Sequence, residues 1–149
     1  MNRKWNKYLL EATENNEVKL PVLDIKDTLN MNIWQSEDRI KPEITSRLIQ
    51  IALDFLQSID VHPDDVADII LTGSIANYNW TEFSDIDLHL LIDFRKIDEN
   101  IGLVSEFFNA KKADWNKMHQ IMIKDHEVEI YVQEIHEPHI STGVYSCLL

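Results

Sequence analysis

The stretch Ser84-Asp85-Ile86-Asp87-Leu88-His89-Leu90-Leu91-Ile92 decides how the chain is read. Ile86, Leu88, Leu90 and Ile92 alternate with Asp85, Asp87 and His89. A period of two sends successive side chains to opposite faces, which predicts a strand with one buried apolar face and one polar face. The two aspartates leave the same face with Cα atoms about 7 Å apart. Carboxylates this close repel each other and are tolerated cheaply only against a cation or open water. Their oxygens are hard ligands suited to Mg²⁺ or Mn²⁺, which keep positions open for phosphate oxygens. A calcium loop is disfavoured, because Ile86 and Leu88 are buried-strand residues and the loop glycine is missing.

Upstream, Ala67 to Leu71 is short and apolar and reads as a buried strand, followed at once by Gly73-Ser74 and a helical turn over Ser74 to Asn79. Glycine lets the backbone approach a ligand, and backbone N–H groups at a helix start attract anions, which is what a triphosphate tail requires. Further back, Ile44, Leu48, Ile51, Ala52, Phe55 and Leu56 recur at helical spacing and predict a helix over Pro42 to Ser58. Downstream, residues 98–116 read as a helix with Ile101, Val104, Phe107 and Phe108 on one side. Met118 to Ile123 and Glu127 to Ile135 read as a hairpin turning at Lys124-Asp125-His126. Residues 3–12 suit a short amphipathic helix carrying Trp5, Tyr8 and Leu9, or a segment docking a protein partner through residues 1–12. Glu11 to Lys19 reads as a linker. The tail after His136 has no clear period and ends on apolar Cys147-Leu148-Leu149, a terminus to be docked on the core, held by a partner or cut from a longer chain. Strands and helices thus alternate and close with a hairpin. The expectation is one α/β (α+β) domain with a mixed sheet and helices mainly on one face.

A third carboxylate is expected from a neighbouring strand. Glu129, between Val128 and Ile130, is the first candidate, and Glu127, pointing the same way, is its rival. His89 shares the face of Asp85 and Asp87, either to contact phosphate or substrate or simply to bond within the fold. The run His136-Glu137-Pro138-His139 reads as a loop rather than a zinc site, because it contains proline and no cysteine supports it. Trp34, Trp80 and Trp115 read as core or capping aromatics, and Lys111 and Lys112 as a solvated helix face that also suits phosphate.

The formal net charge is −12 over 149 residues, so the surface repels phosphate backbones at long range and argues against unspecific nucleic-acid binding. A single cysteine rules out a disulfide within the chain and points to a reducing compartment, the cytoplasm. No apolar run approaches the roughly 20 residues of a membrane span, so no membrane role is expected.

The run Leu71-Thr72-Gly73-Ser74, then Ser84-Asp85-Ile86-Asp87-Leu88, then Val128-Glu129-Ile130 resembles the DNA polymerase β-type nucleotidyltransferase superfamily. Its pattern is a Gly-Ser pair, a spacer, an Asp-x-Asp strand and a later acid between apolar residues. The resemblance covers about residues 65–135, and Gly73 to Asp93 is also similar to small nucleotidyltransferases of large bacteriophages. It implies a minimal nucleotidyltransferase-fold domain over residues 21–149, with residues 1–20 as a helix and linker. It further implies transfer of a nucleoside monophosphate from a nucleoside triphosphate such as ATP to a hydroxyl. Asp85, Asp87 and Glu129 would be catalytic ligands of Mg²⁺ or Mn²⁺, and Gly73 and Ser74 would hold the triphosphate. The acceptor is expected to be a small molecule or a protein rather than a nucleic acid, in a host cytoplasm if the chain is phage-encoded. Arginines common in the Gly-Ser segment of the superfamily are replaced here by Ile75 and Asn77. That departure sets a catalytically silent, antitoxin-like binding module beside the enzyme as the alternative.

Overall fold

A computed structural model describes residues 25–137 and 144–148. The helix, linker and docking segment expected before residue 21 lie outside these residues. A two-strand ribbon comes first, β1 (Trp34–Ser36) and β2 (Arg39–Ile40). Helix α1 (Pro42–Ser58) follows, with the bounds its periodicity predicts. Proline stands in its first turn, where a missing N–H costs nothing, and the six predicted apolar residues are all buried.

The main sheet has five strands in the order β5-β6-β4-β3-β7. They are β3 (Val66–Thr72), β4 (Ile86–Ile92), β5 (Ile121–Ile123), β6 (His126–Glu134) and β7 (Val144–Ser146). β4 and β6 run parallel, and the other pairs are antiparallel. Helix α2 (Ile101–Met118) makes the crossover, and the Asn100 side chain caps it by accepting from the Leu103 N–H. The mixed sheet is as expected. Its apolar face, with Leu71, Leu88, Leu90, Val128 and Ile130, forms one core with Leu48, Phe55 and Leu56 of α1 and Val104 and Phe108 of α2. The other face keeps the carboxylates.

Some expectations shift. The turn after Gly73 is a single 3₁₀ turn, Ser74–Ala76. In α2 only Val104 and Phe108 are buried, while Ile101 and Phe107 stay partly exposed. The aperiodic tail contains β7, an edge strand of three residues whose register is set by β3 rather than by a pattern of its own. Beyond it Cys147 is buried and its N–H donates to the Ile69 carbonyl at 2.8 Å, so this described part of the tail docks on the core. Burial, with Asp68 nearby, pushes that thiol up to about 12 and leaves it unreactive. The β1–β2 ribbon was too short to read. It is anchored by Trp34, whose indole N–H donates to the Ile75 carbonyl at 2.8 Å and whose ring meets Tyr145 edge-on. Among the described residues, no helix is long and apolar enough to cross a membrane.

β5 is only three residues long, so it leaves the outer edge of β6 unpaired beyond Val128. Asn116 of α2 fills the gap. Its amide N–H donates to the Ile130 carbonyl and its carbonyl accepts from the Ile130 N–H, both at 2.9 Å. A side chain thus substitutes for the missing strand beside Glu129. Asn116→Ala leaves two partly buried backbone groups unsatisfied and is expected to cost about 2 kcal/mol, read by urea denaturation. A change within about 0.5 kcal/mol would show that water replaces the clamp.

Candidate active site

The parallel pairing of β4 and β6 puts Ile86 opposite Val128, Asp87 opposite Glu129 and His89 opposite Tyr131. Asp87 and Glu129 are therefore neighbours on one sheet face. Asp85, expected within the strand, stands one residue before β4 begins, close enough for its charge to act on Asp87. Glu127 lies one step nearer the hairpin and pairs with Met122 of β5. Its turn holds Lys124 and Asp125 at φ +49° and +67°. The electrostatics single out Glu129: burial pushes the Asp87 carboxyl up to about 6, helped by the charges of Glu129 and then Asp85. Glu127 is not among those influences.

Gly73 closes the site from β3, whose Thr72 pairs with Asp87. Its φ is +82°, where side chains are strained, and a Cβ there would lie 2.5 Å from Asp87 Oδ2. The glycine is required by geometry and by contact with the carboxylate. Ser74 does not stand free: its hydroxyl donates to the Ser84 hydroxyl at 2.7 Å, which also accepts the Thr81 N–H at 2.8 Å.

Ser84, two residues ahead of β4, is a junction that no residue pattern marks. Its carbonyl accepts from His126 Nδ1 at 2.6 Å. Asn30 Oδ1 accepts the Asn32 N–H, which turns the Asn30 amide N–H toward His126 Nε2 at 3.0 Å. Nε2 is then the acceptor and Nδ1 the donor, a tautomer set by its neighbours. This buried chain ties the start of β4 to the start of β6, just before the acidic residues. No sequence pattern joins Asn30, Ser84 and His126, which are far apart along the chain.

Among the described residues, the group of three side chains whose candidate ligand atoms all lie within 4.8 Å is a different one, Asp93, Glu134 and His136. It sits where the far ends of β4 and β6 meet, since Ile92 pairs with Glu134. These residues are capable of holding a metal, yet the buried Glu134 carboxylate already accepts from the His136 N–H at 2.6 Å and the His136 ring at 2.9 Å. Asp93 accepts the Arg95 N–H. The group is a hydrogen-bonded corner in which His136 takes part, although its run was read as a plain loop. In the carboxylate site, by contrast, Asp87 Oδ2 lies toward Gly73 and Glu129 Oε2 accepts from the Tyr131 hydroxyl.

Burial of Asp87 beside two other carboxylates carries a cost in the folded chain. A carboxyl raised from 3.8 to about 6 is protonated more readily in the folded chain, so ionising it destabilises the fold. The penalty grows as pH rises from about 4 to about 6 and is complete above that, at roughly 2–3 kcal/mol. With chelator present, Asp87→Asn is expected to gain stability over wild type across that window and to keep the gain at pH 7. Urea denaturation against pH, taken as the difference between the two proteins, reads this; a pH-independent difference would refute it.

The family model described as "nucleotidyltransferase domain" matches residues 49–142, a span that includes Gly73, Ser74, Asp85, Asp87 and Glu129. No curated protein and no solved structure matches the chain. With the match covering more than half of its length and the mixed sheet carrying the Gly-Ser and Asp-x-Asp elements in order, the chain belongs to the nucleotidyltransferase domain family, within the polymerase β-type superfamily.

Proposed function

We propose that the protein is an active, metal-dependent enzyme that moves a nucleoside monophosphate from a nucleoside triphosphate to a hydroxyl acceptor, releasing pyrophosphate. The observation that supports it best is the Asp87–Glu129 pairing, with Asp85 alongside and the bare backbone of Gly73 against Asp87. Mutual repulsion among three carboxylates is the condition a hard divalent cation relieves, and an all-oxygen donor set fits Mg²⁺ or Mn²⁺. Asp85, Asp87 and Glu129 would hold it. When bound, such an ion neutralises and orients the phosphate oxygens.

The chain's own residues supply the rest. Gly73 offers backbone within reach of the β- and γ-phosphates. The Ser74 hydroxyl turns from Ser84 to donate to them. Glu129 takes the acceptor's proton as the acceptor oxygen bonds to the α-phosphorus. The bond from that phosphorus to the bridging oxygen breaks, and its electron pair leaves on pyrophosphate. A net charge of −12 favours a small molecule or a protein hydroxyl over a nucleic acid as acceptor. The reducing cytoplasm suits a chain with one cysteine, and this one is buried. The silent-module alternative rests on Ile75 and Asn77 standing where the superfamily carries arginines, and the intact acidic residues argue against it.

Two expectations test the reading. Glu129→Gln removes most Mg²⁺-dependent pyrophosphate release, whereas Glu127→Gln keeps it within about tenfold, a barrier change of about 1.4 kcal/mol. The reverse pattern would place the third ligand nearer the hairpin. Ser74→Ala weakens triphosphate binding by about 1–2 kcal/mol in titration calorimetry, the worth of a hydrogen bond to a charged group. Gly73→Ala weakens it more, because its methyl displaces Asp87. Wild-type affinity in both variants would remove the Gly-Ser turn from the site.

A further inference from the structure

Beyond the three carboxylates, the open face of β4 and β6 carries a second set of contacts centred on Tyr131. Its hydroxyl donates to Glu129 Oε2 at 2.7 Å. The ring is held by neighbours from two elements. His89, its register partner on β4, stacks on it with centroids 4.8 Å apart and planes 20° from parallel, and His89 Nδ1 also meets Gln133 Oε1 at 3.2 Å. From α2, the Lys112 ammonium sits 4.6 Å from the ring centroid. Lys111, its neighbour in sequence, lies instead over Phe107 at 5.7 Å. The two lysines that look alike in the sequence are therefore sorted by the fold, and only Lys112 reaches this cluster.

We propose that Tyr131 is a positioning residue for the metal site: clamped by His89 and Lys112, it occupies one Glu129 oxygen and so aims the other at the cation. This rests on the reading that Glu129 is a ligand. A carboxylate on a long side chain rotates freely unless a second partner fixes it, and such outer partners are worth about 10- to 100-fold in metal affinity. Tyr131→Phe keeps the ring and its clamp and removes only the donor.

The experiment is titration calorimetry with Mn²⁺ alone on wild type, Tyr131→Phe, Glu129→Gln and the double variant, with metal-free melting as the folding control. Tyr131→Phe is expected to melt as wild type does and to bind Mn²⁺ about tenfold more weakly. In the Glu129→Gln background it is expected to change affinity no further, because its effect passes through that carboxylate. Unchanged or tighter Mn²⁺ binding by Tyr131→Phe overturns the proposal while leaving the metal site standing. So does the same tenfold loss in the Glu129→Gln background. Absence of Mn²⁺ binding by wild type, or wild-type affinity in Glu129→Gln, overturns the metal-site reading and this inference with it.

Discussion

Like charges on adjacent strands are the constraint around which this molecule is organised. The parallel register of β4 and β6 sets Asp87 beside Glu129, and Asp85, just ahead of β4, adds a third charge nearby. A fold that gained only burial would avoid such a pairing, since like charges opposite each other destabilise a sheet. Asp87 is pushed up to about 6, first by burial and then by the charges of Glu129 and Asp85. In the proposed function, a bound cation is what relieves that cost.

Holding three repelling groups in place requires support from outside the strands that bear them. Asn116 seals the edge of β6 next to Glu129. The buried chain from Asn30 through His126 to Ser84 pins the entries of both strands. Ser84 also bonds Ser74, linking the Gly-Ser turn to the acidic strand, and Trp34 bonds Ile75 from behind that turn. All of these act by hydrogen bonds to backbone or between short polar side chains, which fix position more sharply than apolar packing does. Precision of this kind matters for the proposed function, since a metal site tolerates only about 0.5 Å of looseness.

The fold was legible where a residue pattern has its own period. The α1 helix announces itself in the spacing from Ile44 to Leu56, and β4 in the alternation from Asp85 to Ile92. The parts that escaped are short and borrowed. β7 exists because β3 offers an edge, and the β1–β2 ribbon because Trp34 finds a buried partner; neither is long enough for its own sequence to show it. Likewise Ile101 and Phe107 share the apolar character of Phe108, but the crossover geometry of α2 leaves them at the rim.

Sequence alone determined the chemistry on offer: two carboxylates on one strand face, a glycine–serine turn ahead of them, and a pair of glutamates waiting on a later strand. These follow from the chain's local stereochemistry, which operates over two or four residues and needs no partner. Only the tertiary structure decided which glutamate meets Asp87, because Glu127 and Glu129 point the same way and differ solely in the register of a pairing across about 40 residues of chain. It also decided that Gly73 takes a positive φ that side chains rarely adopt, with Asp87 lying against it. And it decided that Tyr131, two residues beyond Glu129, turns back to hold that carboxylate while Lys112 comes from a helix to cover the ring. Contacts between residues far apart in sequence carry no periodic signal, so they exist only once the sheet is assembled.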